Sequence, residues 1–169
     1  MLNRILKRYL NKKGFVSIYA VLLIAFLLPF LMFSFVDVNH FMQQNRKLKN
    51  IVDNAAASAV TMVDNTQIPK GIIQITDTDA INIATGIVKQ DLFLNNDLTP
   101  QSKSILSGKP DLRVYVVNNA PTNVTTPLDT VNAQHPSVIV YGKFPVKGLF
   151  FSSISVNITA EGMSQVQFK

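Results

Sequence analysis

The 169-residue chain has no cysteine and only two histidines. Without thiols it has no disulfide framework, thiolate zinc site, iron–sulfur cluster or cysteine nucleophile. His40 and His135 stand 95 positions apart in unlike settings, which leaves little for imidazole chemistry. Acidic residues are missing from the first 13 positions, where Arg4, Lys7, Arg8, Lys12 and Lys13 give +5 of the formal net charge of +6. Residues 14 to 169 carry 11 basic and 10 acidic groups, so the body is nearly neutral and nucleic acid finds little electrostatic support there. No internal repeat, phosphate-binding glycine loop, dinucleotide turn or nucleophile elbow occurs. The ten acids are scattered, with no pair at a catalytic spacing on one element. The sequence thus points to no enzyme, no cofactor, no metal and no small-molecule substrate.

What is present begins with 22 uncharged residues, Phe15 to Val36, of which 15 are Leu, Ile, Val or Phe. A helix of that length is about 33 Å long, enough for a hydrocarbon core of about 30 Å. Each of those side chains favours insertion by about 0.3–0.6 kcal/mol, and the total outweighs the cost of Ser17, Tyr19, Pro29 and Ser34. The run is longer than the apolar core of a cleavable secretory signal, and Phe35-Val36-Asp37 offers no small-x-small cleavage site. The expectation is a retained single-pass anchor in contact with membrane lipid. By the positive-inside bias, the amino terminus is cytoplasmic and residues 37 to 169 are extracytoplasmic.

Past Val36 the sequence turns polar but keeps helical spacing. Phe41, Leu48, Val52, Ala55, Ala59 and Met62 form one apolar stripe, and no Gly or Pro interrupts the chain from Phe30 to Ile68. This predicts a rod continuing to about Asp64. Leu48, Val52, Ala55, Ala59 and Met62 are its packing surface, used either within the molecule or against another helix. Pro69-Lys70-Gly71 ends it, and Ile72 to Ile75 is a candidate short strand. A second helix is expected over about Asp79 to Leu94, with Ala80, Ile83, Ala84, Ile87, Val88 and Leu92 on one face and capping groups at Thr76 to Asp79.

The remainder reads as β. Leu112 to Asn118 and Ser137 to Phe144 are strand-like, and Ser153 to Phe168 alternates throughout. Ile154, Val156, Ile158, Ala160, Val166 and Phe168 share one parity, with polar residues on the other. The expected result is an antiparallel sheet covered on one side by the two helices, with Pro145 and Gly148 marking the last connection and Ala120 to Pro136 an exposed loop. Asn123 and Asn157 stand in glycosylation sequons; the second reads as a solvent-face strand residue. The organisation is therefore a basic leader (1–14), a transmembrane helix (15–36), its extracytoplasmic continuation (37–64) and an α+β head (65–169). The fold class is α+β: a long amino-terminal helix, and a second helix packed on a small antiparallel sheet.

Lys12-Lys13-Gly14-Phe15, a basic leader closed by glycine before an apolar helix, resembles the junction of type IV prepilins. The resemblance implies cleavage by a membrane peptidase between Gly14 and Phe15, and Glu at the fifth mature position, where this chain has Tyr19. The chain is more similar to TadE/TadG-like proteins of tight-adherence pili. It shares with them Pro29 in the span, Asp37 soon after it, and the run from Leu48 to Ala59, with the likeness strongest over residues 12 to 63. TadG-like members often lack the Glu. The implied role is a pilin-like minor component or assembly factor whose partners are other pilin-like subunits and pilus assembly proteins. An anchored extracytoplasmic binding or sensor module outside any filament is the alternative.

Overall fold

The computed structural model describes residues 2–151 and 153–167, with side chains described from Ser17 onward. Phe168, expected to close the last strand's inner face, lies outside them. The elements are α1 (Leu2–Ala59), a 3-10 turn (Ile68–Lys70), α2 (Asp77–Asp91), β1 (Asp111–Val117), β2 (Thr122–Thr125), β3 (Thr130–Ala133), β4 (Ser137–Lys147) and β5 (Ser155–Gln165). The fold is α+β, as expected. The chain divides into two compact units, Met1–Asn39 and His40–Lys169, and α1 contributes to both.

The first unit is the amino-terminal part of α1. Its apolar side chains from Ile18 to Phe35 are exposed, and the helix that holds them is long and apolar enough to cross a membrane. Pro29 sits within it and has no N–H to give the preceding turn. Ser34 Oγ donates to the Phe30 carbonyl at 2.9 Å, a back-bond that satisfies the hydroxyl inside the helix.

The second unit is built on the rest of α1. Leu48, Val52, Ala55 and Ala59 are completely buried, together with Ala80, Ala84 and Val88 of α2 and Val138, Val140, Phe144 and Val146 of β4. The expected stripe is thus the spine of the head's own core. The sheet is antiparallel in the order β1-β4-β5, with Val114 opposite Val140 and Val140 opposite Gly162. Gly162 marks a close approach of helix to sheet. A Cβ there would lie 2.8 Å from the Asp53 backbone nitrogen and 2.9 Å from its Cα, so only glycine lets α1 seat on β5.

Several expectations are corrected. The helix ends at Ala59, not near Asp64, because the backbone beyond it is claimed by another segment. Thr76 N donates to Met62 O, and Asp64 N to Gln74 O, both at 2.8 Å. Ile72 to Ile75 accordingly yields one bridge, Val63 to Ile75, and no strand. The second helix runs Asp77–Asp91, and Thr76 at its N-cap makes no side-chain cap bond. Asp77 instead accepts from Asn118 Nδ2 at 3.0 Å. The stretch read as an exposed loop contains the β2–β3 hairpin, with Val124 opposite Val131. Val124 and Val131 pack against a second small core of Val117, Ala133 and Ile139, so the sheet's other face is partly covered rather than wholly wet. Pro145 lies inside β4, not in the connection. It is tolerated there because β1 pairing stops at Lys143, leaving no ladder bond for the missing N–H on that side. Ile154 and Val156 have the inward parity but are exposed.

Asn118 joins the two layers. Its Oδ1 accepts from Ile75 N at 2.7 Å and its Nδ2 donates to Ile75 O at 3.0 Å, satisfying the backbone of a residue with no solvent exposure. Asn118→Ala should cost about 1–3 kcal/mol, the penalty for leaving buried polar groups unmet. Thermal unfolding of the reconstituted chain checks this; an unchanged midpoint would show that the clasp contributes nothing.

Candidate functional site

The residues singled out by sequence fall into two sets. Gly14 and Phe15 lie in the helical backbone of α1, with side chains outside the described region. Tyr19, at the position usually Glu in pilins, is 57% exposed on the apolar helix. Asp37, the acid that follows the span, is buried.

The second set is the packing surface. Leu48, Val52, Ala55 and Ala59 are enclosed in the head's core, and Met62 is half-buried against it. Their partners are α2 and the sheet of the same chain. The face of α1 that meets solvent is a different one, carrying Met42, Asn45, Arg46, Asn50, Asn54 and Ala57. Small residues at 55, 56 and 59 let α1 sit close to its own sheet, while Ala57 leaves a smooth patch on the outer side.

An open groove of about 360 Å³ runs between this outer face and β5, lined by Asn45, Arg46, Lys49, Asn50, Leu128, Thr159, Ala160 and Glu161. Lys49 Nζ donates to the Glu161 carbonyl at 2.7 Å, capping an outward carbonyl of the edge strand, and pairs with the Asp53 carboxylate. Both partners of that pair are about half exposed, so its contribution to stability is small. The Glu161 carboxylate accepts from Thr126 Oγ1, which ties the β2–β3 turn to β5. Nothing local in the sequence pairs Lys49 with Glu161, 112 positions away; only the fold brings them together.

Two aspartates are shaped by the turns that hold them. Asp64 is held below the ordinary aspartate range chiefly by the Thr66 hydroxyl, which donates to its carboxylate at 2.6 Å, with the Thr66 amide assisting at 2.9 Å. Asp97 is lowered in the same way by the Thr99 hydroxyl and amide. Asp97 is an exposed turn residue, and Asp64 is half-buried at the start of a turn. His40 lies beside Phe41, with ring centres 5.9 Å apart. Among the described residues, no three His, Asp or Glu side chains gather where they could hold a metal ion.

The molecule is therefore an α+β head built on a helix whose amino-terminal stretch has the length and apolarity of a membrane span. No protein-family model, curated protein or solved structure matches the chain.

Proposed function

We propose that the protein is a membrane-anchored, pilin-like structural protein, a minor component or assembly factor of a tight-adherence or related type IV filament. One observation carries this reading: a single helix supplies both an exposed apolar stretch and, through Leu48, Val52, Ala55 and Ala59, the core of the head. A head whose core includes the continuation of its anchor helix suits a packed assembly. The likeness of residues 12 to 63 to TadE/TadG-like proteins supports the same class. Tyr19 in place of Glu favours an accessory role over that of bulk subunit, and Gly14-Phe15 is the proposed processing junction. The head is extracytoplasmic, its partners are other subunits and assembly proteins, and no catalysis is assigned to it.

The second reading, an anchored binding module with no filament, draws on the groove between α1 and β5. Cross-linking separates them. The chain has no native cysteine, so Asn54→Cys and Ala57→Cys place single thiols on the solvent-facing side of α1. In cells assembling the filament, both should give adducts with filament proteins. A chain that stays uncross-linked while filaments form would sink the filament reading and leave the binding module.

A further inference from the structure

The connection between β4 and β5 presents exposed apolar side chains. Leu149, Phe150 and Ile154 are 58, 52 and 52% exposed, and Val156 just beyond them is also exposed. Burying a side chain of this kind fully is worth about 1.5–3 kcal/mol, so a cluster left half in water forgoes substantial stabilisation. The turn is nonetheless ordered by its own bonds: Gly148 N donates to Ile154 O at 3.0 Å, and Ile154 N to Phe151 O at 2.8 Å.

Its place within the second unit follows from how β5 lies along α1. Asn45, Arg46, Lys49 and Asn50 flank Thr159 to Glu161, and Asp53 meets Gly162, so residue numbers rise in the same direction on both elements. Going back from Ala160 to Ser155 covers about 16 Å of strand at about 3.3 Å per residue. From Asn45 back to His40 is only about 8 Å of helix. The tip of the hairpin therefore emerges at the end of this unit where the chain enters it, a few residues after the apolar stretch ends at Val36.

Lysines predominate near the tip, with Asp111 opposite Lys143 across the β1–β4 pair and Asp97 within electrostatic reach of Lys109. Lys143 and Lys147 on β4 are exposed, as are Lys103 and Lys109 of the segment that packs on β4 through Leu106 and Val146. No Asp or Glu occurs between Leu98 and Pro110 or between Thr130 and Ala160. Apolar side chains with Lys147 and Lys103 exposed on neighbouring segments suit an anionic lipid surface, where the apolar groups enter the headgroup region and each nearby lysine adds about 1 kcal/mol.

We infer that the β4–β5 tip, through Leu149, Phe150 and Ile154, is a second membrane contact that seats the head on the surface of the bilayer its anchor crosses. This rests on the reading of residues 15 to 36 as a membrane span. Its consequence is a head whose tilt is restricted by two attachments rather than one.

The chain has no tryptophan, so single tryptophans report without background. The full chain is reconstituted in phosphatidylcholine and phosphatidylglycerol vesicles whose acyl chains carry bromine either near the headgroup or near the chain end. Phe150→Trp, with Leu149→Trp as an independent second variant, should lose most of its emission to the shallow bromines and little to the deep ones. Phe26→Trp, inside the span, should show the reverse. Ile72→Trp is exposed at the opposite end of the unit, near the Val63–Ile75 bridge, and should lose none. Unquenched emission from both tip variants with Phe26→Trp quenched would overturn the tip contact and leave the anchor standing. Blue-shifted tip emission that brominated lipid leaves untouched would assign the tip to a protein partner and overturn it equally. Loss of quenching at Phe26→Trp as well would remove the anchor reading itself.

Discussion

A chain carrying Leu23→Arg together with Leu27→Arg is expected to leave the carbonate-resistant membrane fraction. Both side chains lie near the middle of the apolar stretch and are exposed on α1, so no protein core shields the new charges. Each substitution replaces a contribution of about −0.5 kcal/mol with one of about +2.5 to +3.5, a loss of about 6–8 kcal/mol for the pair. That is the size of the whole insertion term for the 15 Leu, Ile, Val and Phe residues of the stretch, so the balance reverses. Leu23→Ala with Leu27→Ala shortens the same side chains without adding charge and should keep the chain in the membrane. Retention of the arginine pair would mean that α1 is held by something other than lipid.

Gly162→Ala should destabilise the head by about 3 kcal/mol, the upper end of ordinary overpacking. The added methyl would meet the Asp53 backbone within 3 Å, and neither a helix nor a paired strand yields as a flexible side chain would. Relief requires α1 to lift from the sheet, which loosens Val52, Ala55 and Ala56 together. Gly86→Ala is the internal contrast. Gly86 is exposed on α2, a Cβ there meets nothing within 4 Å, and alanine suits a helix interior better than glycine by about 0.5–1 kcal/mol. The same chemical change should therefore lower the thermal midpoint at one glycine and raise it at the other, by a few degrees for each kcal/mol. Equal effects at both sites would contradict the close seating of α1 on β5.

Much of this architecture is legible where a pattern is local. Leu48, Val52, Ala55 and Ala59 repeat at helical spacing, and all are completely buried. Ala80, Ala84 and Val88 behave likewise on α2. The alternation in β5 is correct in parity, and Ser155, Asn157 and Thr159 are exposed as that parity requires. It misleads at Ile154 and Val156 because parity says which face a residue takes, not whether anything covers it. What escapes is whatever depends on a distant partner. The helix stops at Ala59 because residues 74 to 76 take up the backbone beyond it. The β2–β3 hairpin is hidden by Pro, Thr and Asn because each strand is only four residues long, too short for alternation to register. Pro145 reads as a breaker from composition and is absorbed into β4 because its neighbour strand has already ended. Asp77 reads as a cap and instead serves Asn118.

The candidate site divides along the same line. The apolar stretch and the packing stripe announce themselves, since each is a run on one helix. The groove between α1 and β5 does not, because Arg46 and Lys49 meet Thr159 and Glu161 only after the sheet has docked. Sequence also leaves open whether the stripe packs inside the molecule or between molecules. The fold commits Leu48, Val52, Ala55 and Ala59 to the chain's own core and turns Asn54 and Ala57 outward.

The central claim is that one helix anchors the chain in a membrane and carries the head on the far side. A thiol-specific reagent that does not cross membranes tests it most directly, applied to intact cells and to lysates. Asn96→Cys puts an exposed thiol in the head, and Asn11→Cys adds a thiol to the basic leader, in a chain with no other thiol. Labelling of Asn96→Cys in intact cells, with Asn11→Cys labelled only after lysis, is the predicted result. Protection of Asn96→Cys until lysis would contradict it.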